Sequence, residues 1–243
     1  MPRFFVPRQD IADHTAWITG ADRDHIVKTL RMRIGEPIEL CDMEGLIHYG
    51  EIDSIDQNAV SVHLLRSEPC ESEPTVAATV FVAVPKGDKA ELIVQKCVEL
   101  GAKKIVFYMS QRCISRPDEK STHKKVERYQ KIAAEAAKQS ERGCIPSVEG
   151  VLSYREMLTA ASACDVSLFF YERGGAPIKS ILSDISPLTA ALITGPEGGF
   201  TPDEVEDAKT AGLKVASLGK RILRCETAPL AALTALMYAT DNF

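Results

Sequence analysis

The sequence lacks any run long and apolar enough to cross a bilayer as a helix, and its opening residues, Met1-Pro2-Arg3-Phe4-Phe5, lack the plan of a signal peptide. Neither membrane insertion nor export is expected. The seven cysteines are scattered, odd in number and never spaced Cys-x-x-Cys. That argues against a zinc site or a disulfide framework and predicts a reducing, cytoplasmic setting. The five histidines show no metal-ligand spacing, so no metal is expected. No glycine loop runs into Gly-Lys-Ser/Thr, and none reads Gly-x-Gly-x-x-Gly. A Walker loop and the dinucleotide fingerprint are both excluded. Internal repeats and low-complexity tracts are missing too.

Basic charge is also in short supply. The formal net charge is −5, which looks wrong for a nucleic-acid binder. Its distribution changes the picture. Residues 1–85 hold 7 basic and 14 acidic side chains, residues 86–142 hold 14 and 8, and residues 143–243 hold 8 and 12. A basic block in an otherwise acidic chain is what local phosphate contacts need. For Lys103, Lys104, Lys124 and Lys125 taken singly, a solvated helix face is the better reading.

With 243 residues the chain is long enough for one large or two small domains. Residues 1–70 read as short β segments. Pro37 to Cys41 and His48 to Ile52 flank the turn Asp42-Met43-Glu44-Gly45, and Ala59 to Leu65 alternates as a half-buried strand does. One helix, Asp22 to Met32, interrupts them. The polar, proline-bearing stretch Ser67 to Pro74 is the best linker.

From residue 75 strand and helix patterns alternate, which predicts an α/β domain with a mostly parallel sheet. Val76–Val84, Lys104–Met109, Val166–Tyr171, Ala190–Thr194 and Val215–Leu218 read as strands. Helices are expected after Asp88, from Ser121 to about Arg142, and after capping boxes at Ser153/Glu156 and Thr201/Glu204. Pro202 suits the first helical position. A last helix, capped by Thr227, carries Leu230, Leu233, Leu236 and Met237 on one face.

The densest segment is Leu192-Ile-Thr-Gly-Pro-Glu-Gly-Gly-Phe200 followed by Ser217-Leu-Gly-Lys-Arg-Ile-Leu-Arg-Cys-Glu-Thr-Ala228. A strand ends in a glycine loop that opens a helix. A second strand ends in a charged loop that opens the last one. Two ligand-sized loops at strand ends are how an α/β sheet builds a site. A lone glycine turn would be unremarkable; two such loops about twenty residues apart, the second with Arg221, Arg224 and Glu226, are harder to dismiss.

These motifs resemble the C-terminal motifs of the bacterial 16S rRNA uridine-N3 methyltransferases, members of the SPOUT superfamily. Gln95-Lys-Cys-Val-Glu-Leu-Gly101, Ser110-Gln-Arg112 and Ala133-Ala-Glu-Ala-Ala-Lys-Gln-Ser-Glu-Arg142 resemble the family's central motifs. Arg3-Phe-Phe5 and His25-Ile-Val-Lys-Thr-Leu-Arg31 resemble its N-terminal ones. Cys225 stands where the family pattern has threonine. The resemblance implies a PUA-like β-barrel that binds RNA over residues 1–72. It implies an α/β SPOUT methyltransferase domain with a C-terminal trefoil knot over residues 73–243. A homodimer is implied as well; topology rules alone would not license a knot.

The implied reaction moves a methyl group from S-adenosyl-L-methionine to N3 of a uridine in 16S rRNA of the small ribosomal subunit. The protein's part is then to bind and orient. The implied cofactor residues are Tyr171, Glu172, Thr194, Gly195, Pro196, Gly198, Gly199, Leu218, Gly219, Ile222, Leu223, Thr227 and Ala228. N3 carries a proton at neutral pH, so the site needs a base or donors for the uracil anion. Glu197 is a candidate base, and Arg221 and Arg224 are candidates for charge stabilisation; an ion pair between Arg224 and Glu226 is the structural alternative. Candidate RNA contacts are Arg3, Arg31, Lys86, Arg112, Gln139 and Arg142. Phe4 or Phe5 could stack on a base, although a core role suits them better. Two other functions fit less well: methylation elsewhere in RNA, such as a ribose 2′-oxygen, and catalytically idle RNA binding in ribosome assembly.

Overall fold

The computed structural model describes residues 1–116 and 118–243, in two compact units. One comprises Met1–Glu73 with Ala137–Ile145, the other Pro74–Ala136 with Pro146–Phe243.

In the first unit, strands β1 (Arg3–Phe5), β2 (Ile11–Ala12), β3 (Thr15–Thr19), β4 (Pro37–Cys41), β5 (Leu46–Ile55) and β6 (Ala59–Pro69) form one mixed sheet. Their order is β1-β4-β5-β6-β3-β2, with β1 parallel to β4 and the other pairs antiparallel. Alternation sets the buried face: Ile38 and Leu40 of β4 and Val60 and Val62 of β6 meet Ile18, Ile52 and Phe4. Phe4 and Phe5 are thus core residues, 2% and 8% exposed, and neither is free to stack on a base. The helix expected over Asp22–Met32 is broken. A short α1 (Gly20–Asp24) passes into a π-helical turn, His25–Leu30, that Arg31 ends at φ +55°.

Arg142 belongs to this unit and corrects an expectation. Its side chain is 3% exposed. Nε and one terminal nitrogen donate to the two carboxylate oxygens of Glu73 at 2.7 and 2.8 Å. A buried, bidentate guanidinium of this kind holds structure and is not presented to RNA.

The second unit is the α/β domain. Its strands are β7 (Ala77–Ala83), β8 (Lys104–Met109), β9 (Ser147–Ser153), β10 (Val166–Phe170), β11 (Ala176–Pro177), β12 (Thr189–Thr194) and β13 (Lys214–Ser217). They order as β11-β13-β10-β12-β7-β8-β9, every pairing parallel. Central strands are buried on both faces, so β10 is apolar nearly throughout. The helices are α2 (Lys89–Glu99), α3 (Glu119–Gln139), α4 (Tyr154–Ser162), α5 (Ile178–Ile181), α6 (Pro202–Thr210) and α7 (Thr227–Ala239). The last residues of α3 fall in the first unit.

Both capping boxes form, Ser153 with Glu156 and Thr201 with Glu204. Glu204 does more than cap. It is 1% exposed, and its Oε1 accepts from the Ser110 hydroxyl at 2.8 Å and the Gln111 amide at 2.9 Å, fixing the loop after β8 to α6. Thr227 is not a cap: Glu226 occupies that position, and neither it nor Asp88 makes a side-chain capping bond. On α7, Leu233, Leu236 and Met237 are buried and Leu230 is half-buried. No helix among the described residues is long and apolar enough to cross a membrane.

Candidate active site

Five neighbouring strands, β13-β10-β12-β7-β8, run parallel, so the loops that follow them emerge on one edge of the sheet. The loops after β10, β12 and β13, with Lys89 at the start of α2, line a cleft of about 600 Å³. That is the size of a small-molecule site. Nominated residues converge there: Tyr171, Glu172, Gly195, Pro196, Gly198, Gly199, Leu218, Gly219, Ile222, Leu223 and Ala228, together with Glu197, Arg221 and Arg224.

Two nominated residues do not line it. Thr194 is 1% exposed; its hydroxyl donates to the Phe81 carbonyl, and its own carbonyl accepts from the Tyr108 hydroxyl at 3.0 Å. Its groups are used up within the sheet. Thr227 sits past the loop, where its amide closes the first turn on the Arg224 carbonyl.

The glycines are there for space. Gly199 has φ +66°, and a Cβ on it would lie 2.8 Å from Glu172 Oε1. A Cβ on Gly195 would lie 3.0 Å from the ring of Phe200. Glycine at 199 suits the positive φ, and at both positions it leaves room for the neighbouring Glu172 and Phe200 side chains. Ile222, 81% exposed, and Leu223 supply apolar wall. Covering Ile222 with a ligand would contribute roughly 1.5–3 kcal/mol.

The charges are arranged unevenly. Lys89 Nζ lies 3.1 Å from Glu197 Oε1 and 3.2 Å from Glu226 Oε2. The Lys86 amide also donates to Glu197 Oε1, at 3.0 Å. Cys225 donates from Sγ to Glu226 Oε2 at 3.3 Å. Burial pushes the Glu197 carboxyl up, but the Lys86 amide and the Lys89 ammonium more than offset it and hold it at about 2. A carboxylate stabilised in this way is a weak proton acceptor, so the contacts of Glu197 favour an anchoring role for Lys86 and Lys89. Burial, with Glu226 and Glu197 adjacent, pushes the Cys225 thiol up to about 12, so it stays protonated.

Arg221 and Arg224 are exposed, and among the described residues neither guanidinium makes a hydrogen bond or ion pair. The alternative of an Arg224–Glu226 pair does not occur; Glu226 pairs instead with Lys89 and accepts from Cys225, both through Oε2.

The RNA candidates fall in both units. In the second unit, exposed Lys86 stands in the loop after β7, and Arg112, after β8, donates to the carbonyls of Gly198 at 2.9 Å and Phe200 at 3.4 Å. In the first unit, Arg31 and Gln139 are exposed, while Arg3 is paired with Glu39 at 3.0 Å. Sequence reasoning missed Lys89, Phe170, Arg173 and Phe200, which line the cleft. For Lys89 a signal existed: a lysine opening the helix that follows a parallel strand must lie at the carboxyl edge of the sheet.

Residues 71–237 match the family model described as an RNA methyltransferase domain. The chain is 35% identical to the ribosomal RNA small subunit methyltransferase E of Bacillus subtilis, over 99% of this chain and 98% of that protein. Its namesake in Synechocystis is 31% identical over 95% and 75%. Among solved structures, the ribosomal RNA small subunit methyltransferase E of Neisseria gonorrhoeae bound to S-adenosyl methionine superposes with a TM-score of 0.82. It is 31% identical over 98% of this chain and 97% of that one. A Legionella pneumophila protein solved with bound SAM gives 0.84 at 26% identity, over 98% and 97%.

Proposed function

The chain belongs to the RNA methyltransferase domain family, and on that premise we propose that it methylates small-subunit ribosomal RNA using S-adenosylmethionine, at N3 of one uridine in 16S rRNA. The observation that carries the reading is the cleft itself: two glycine loops at the ends of parallel strands, with two unpartnered arginines on the second.

The cleft fits the cofactor. Its volume suits a nucleoside-sized ligand, and the glycine loop lines it with backbone. The backbones of Leu218, Ile222 and Leu223 and the residues Tyr171 and Glu172 would hold the adenosyl part. When bound, S-adenosylmethionine supplies an activated methyl group on a sulfonium. The N3 proton leaves to solvent water, the methyl group passes from the sulfonium to N3 with the neutral thioether as leaving group, and Arg224 and Arg221 stabilise the negative charge that uracil carries in between. Glu197 serves as a charged anchor for Lys86 and Lys89.

The finer architecture belongs to the same reading: a PUA-like RNA-binding barrel in the first unit, a trefoil knot in the second, and a homodimer working in the cytoplasm. Arg31, Gln139, Lys86 and Arg112 remain the proposed RNA contacts. The test is direct. Purified protein is incubated with small-subunit RNA and methyl-labelled S-adenosylmethionine, and the RNA is digested to nucleosides. Label in 3-methyluridine supports the reading; label only in a 2′-O-methyl nucleoside, or none, overturns it.

A further inference from the structure

The ammonium of Lys89 touches both cofactor loops. It lies 3.1 Å from Glu197 in the loop after β12 and 3.2 Å from Glu226 in the loop after β13, with Cys225 Sγ at 3.4 Å. The Lys89 side chain is one-third exposed and lines the cleft. Without it, two carboxylates would share one small region with no positive charge between them. Like charges at that range repel and open the structure that brings them together. One positive charge set between two negative ones is therefore an electrostatic tie between loops that contribute opposite sides of the site.

The same contact governs Arg224. Glu226 is two residues from Arg224 on the same loop, and it is the nearest acidic residue along the chain. Lys89 sets a positive charge against Glu226 at Oε2 and so weakens the pull of that carboxylate on a second cation, and the Arg224 guanidinium is left unpartnered among the described residues. We propose that Lys89 is a positioning residue for the methyl transfer: it ties the 195–199 loop to the 218–226 loop, and by engaging Glu226 it keeps Arg224 available to substrate. This rests on the cofactor and Arg224 assignments above.

The test uses the full chain as wild type, Lys89→Ala, and Lys89→Ala with Glu226→Gln. Hydrogen exchange without cofactor should quicken in both loops of Lys89→Ala while the rest of the sheet is unchanged. Affinity for S-adenosylmethionine, by calorimetry, should fall on the order of tenfold, and kcat on ribosomal RNA should fall further. Adding Glu226→Gln removes the carboxylate that would capture Arg224, so kcat should recover to within a few-fold of wild type. Unchanged exchange in either loop overturns the tie. A double variant as slow as Lys89→Ala overturns the protection of Arg224, as does activity that merely follows melting temperature. If wild-type protein fails to bind the cofactor, the cofactor reading fails instead, while the exchange comparison still decides the tie.

Discussion

Glu172 Oε1 sits 2.8 Å from the point where Gly199 would carry a Cβ, and Gly199 holds φ +66°. The loops after β10 and β12 close on each other there with no room for a methyl group. Gly199→Ala should therefore cost about 1–2 kcal/mol in backbone strain alone and push Glu172 aside. Calorimetry should show S-adenosylmethionine affinity reduced at least about tenfold, which corresponds to ~1.4 kcal/mol. Unaltered affinity would mean that this part of the loop does not face the cofactor.

Arg224 separates chemistry from structure because it has no structural partner to lose. Arg224→Ala should lower kcat and kcat/KM together by about 10²–10³, the scale for removing one donor to a developing anion. The melting temperature and cofactor affinity should stay near wild type. Arg224→Lys should recover little, since an ammonium lacks the planar fork. A raised KM with normal kcat, rescued by lysine, would point to a phosphate clamp.

The pH dependence distinguishes Glu197 from a base. With its carboxyl held at about 2 and Lys89 raised by its contacts to Glu197 and Glu226, this cluster keeps its charges across the neutral range. The rate should then rise with pH as the uracil N3 proton becomes easier to remove. Glu197→Gln should lower the rate without changing the slope of log(kcat/KM) against pH. A wild-type rate that is flat with pH and gains a slope in Glu197→Gln would instead identify Glu197 as the proton acceptor.

Arg142 and Glu73 predict a stability effect in place of an RNA effect. Burial pushes the Glu73 carboxyl up, but the bonds from Arg142, Cys144 and the Gly143 amide outweigh it and hold it below the ordinary carboxylate value. Because the folded value is the lower one, this stabilisation is present above the unfolded pKa of about 4.3 and is lost as pH falls through the folded value. Arg142→Ala should destabilise by about 1.5–3 kcal/mol, the scale for hydrogen bonds to a charged group, because it leaves the part-buried Glu73 carboxylate without its cation. Glu73→Gln should flatten the acid limb of the stability curve. Denaturant melts across pH check both, and RNA affinity of the folded Arg142→Ala fraction should be unchanged.

Much of the second unit was legible because its signals are local. Lys104–Met109 is an apolar run with the bounds the pattern predicts, and the two capping boxes are spacings of three residues. The glycine and arginine loops were legible for the same reason. Strand β9 was not, since Glu149 and Gly150 interrupt Ser147–Ser153 and its pairing with β8 supplies what its composition lacks. Strands β1 and β3 are short, and long-range partners define them. The burial of Arg142 depends on Glu73, 69 residues away, which no periodicity reports. Lys89 likewise meets Glu197 because β7 and β12 are neighbours in the sheet, and Glu226 because α2 packs on α7.

The central claim is methylation of N3 in one uridine of small-subunit ribosomal RNA. A methyl there removes the Watson–Crick donor, so reverse transcriptase should stall at the modified base. Small-subunit RNA from cells with the protein should show one stop that disappears when the protein is deleted, and that returns with wild-type protein but not with Arg224→Ala. An identical stop pattern in the deletion strain would contradict the account.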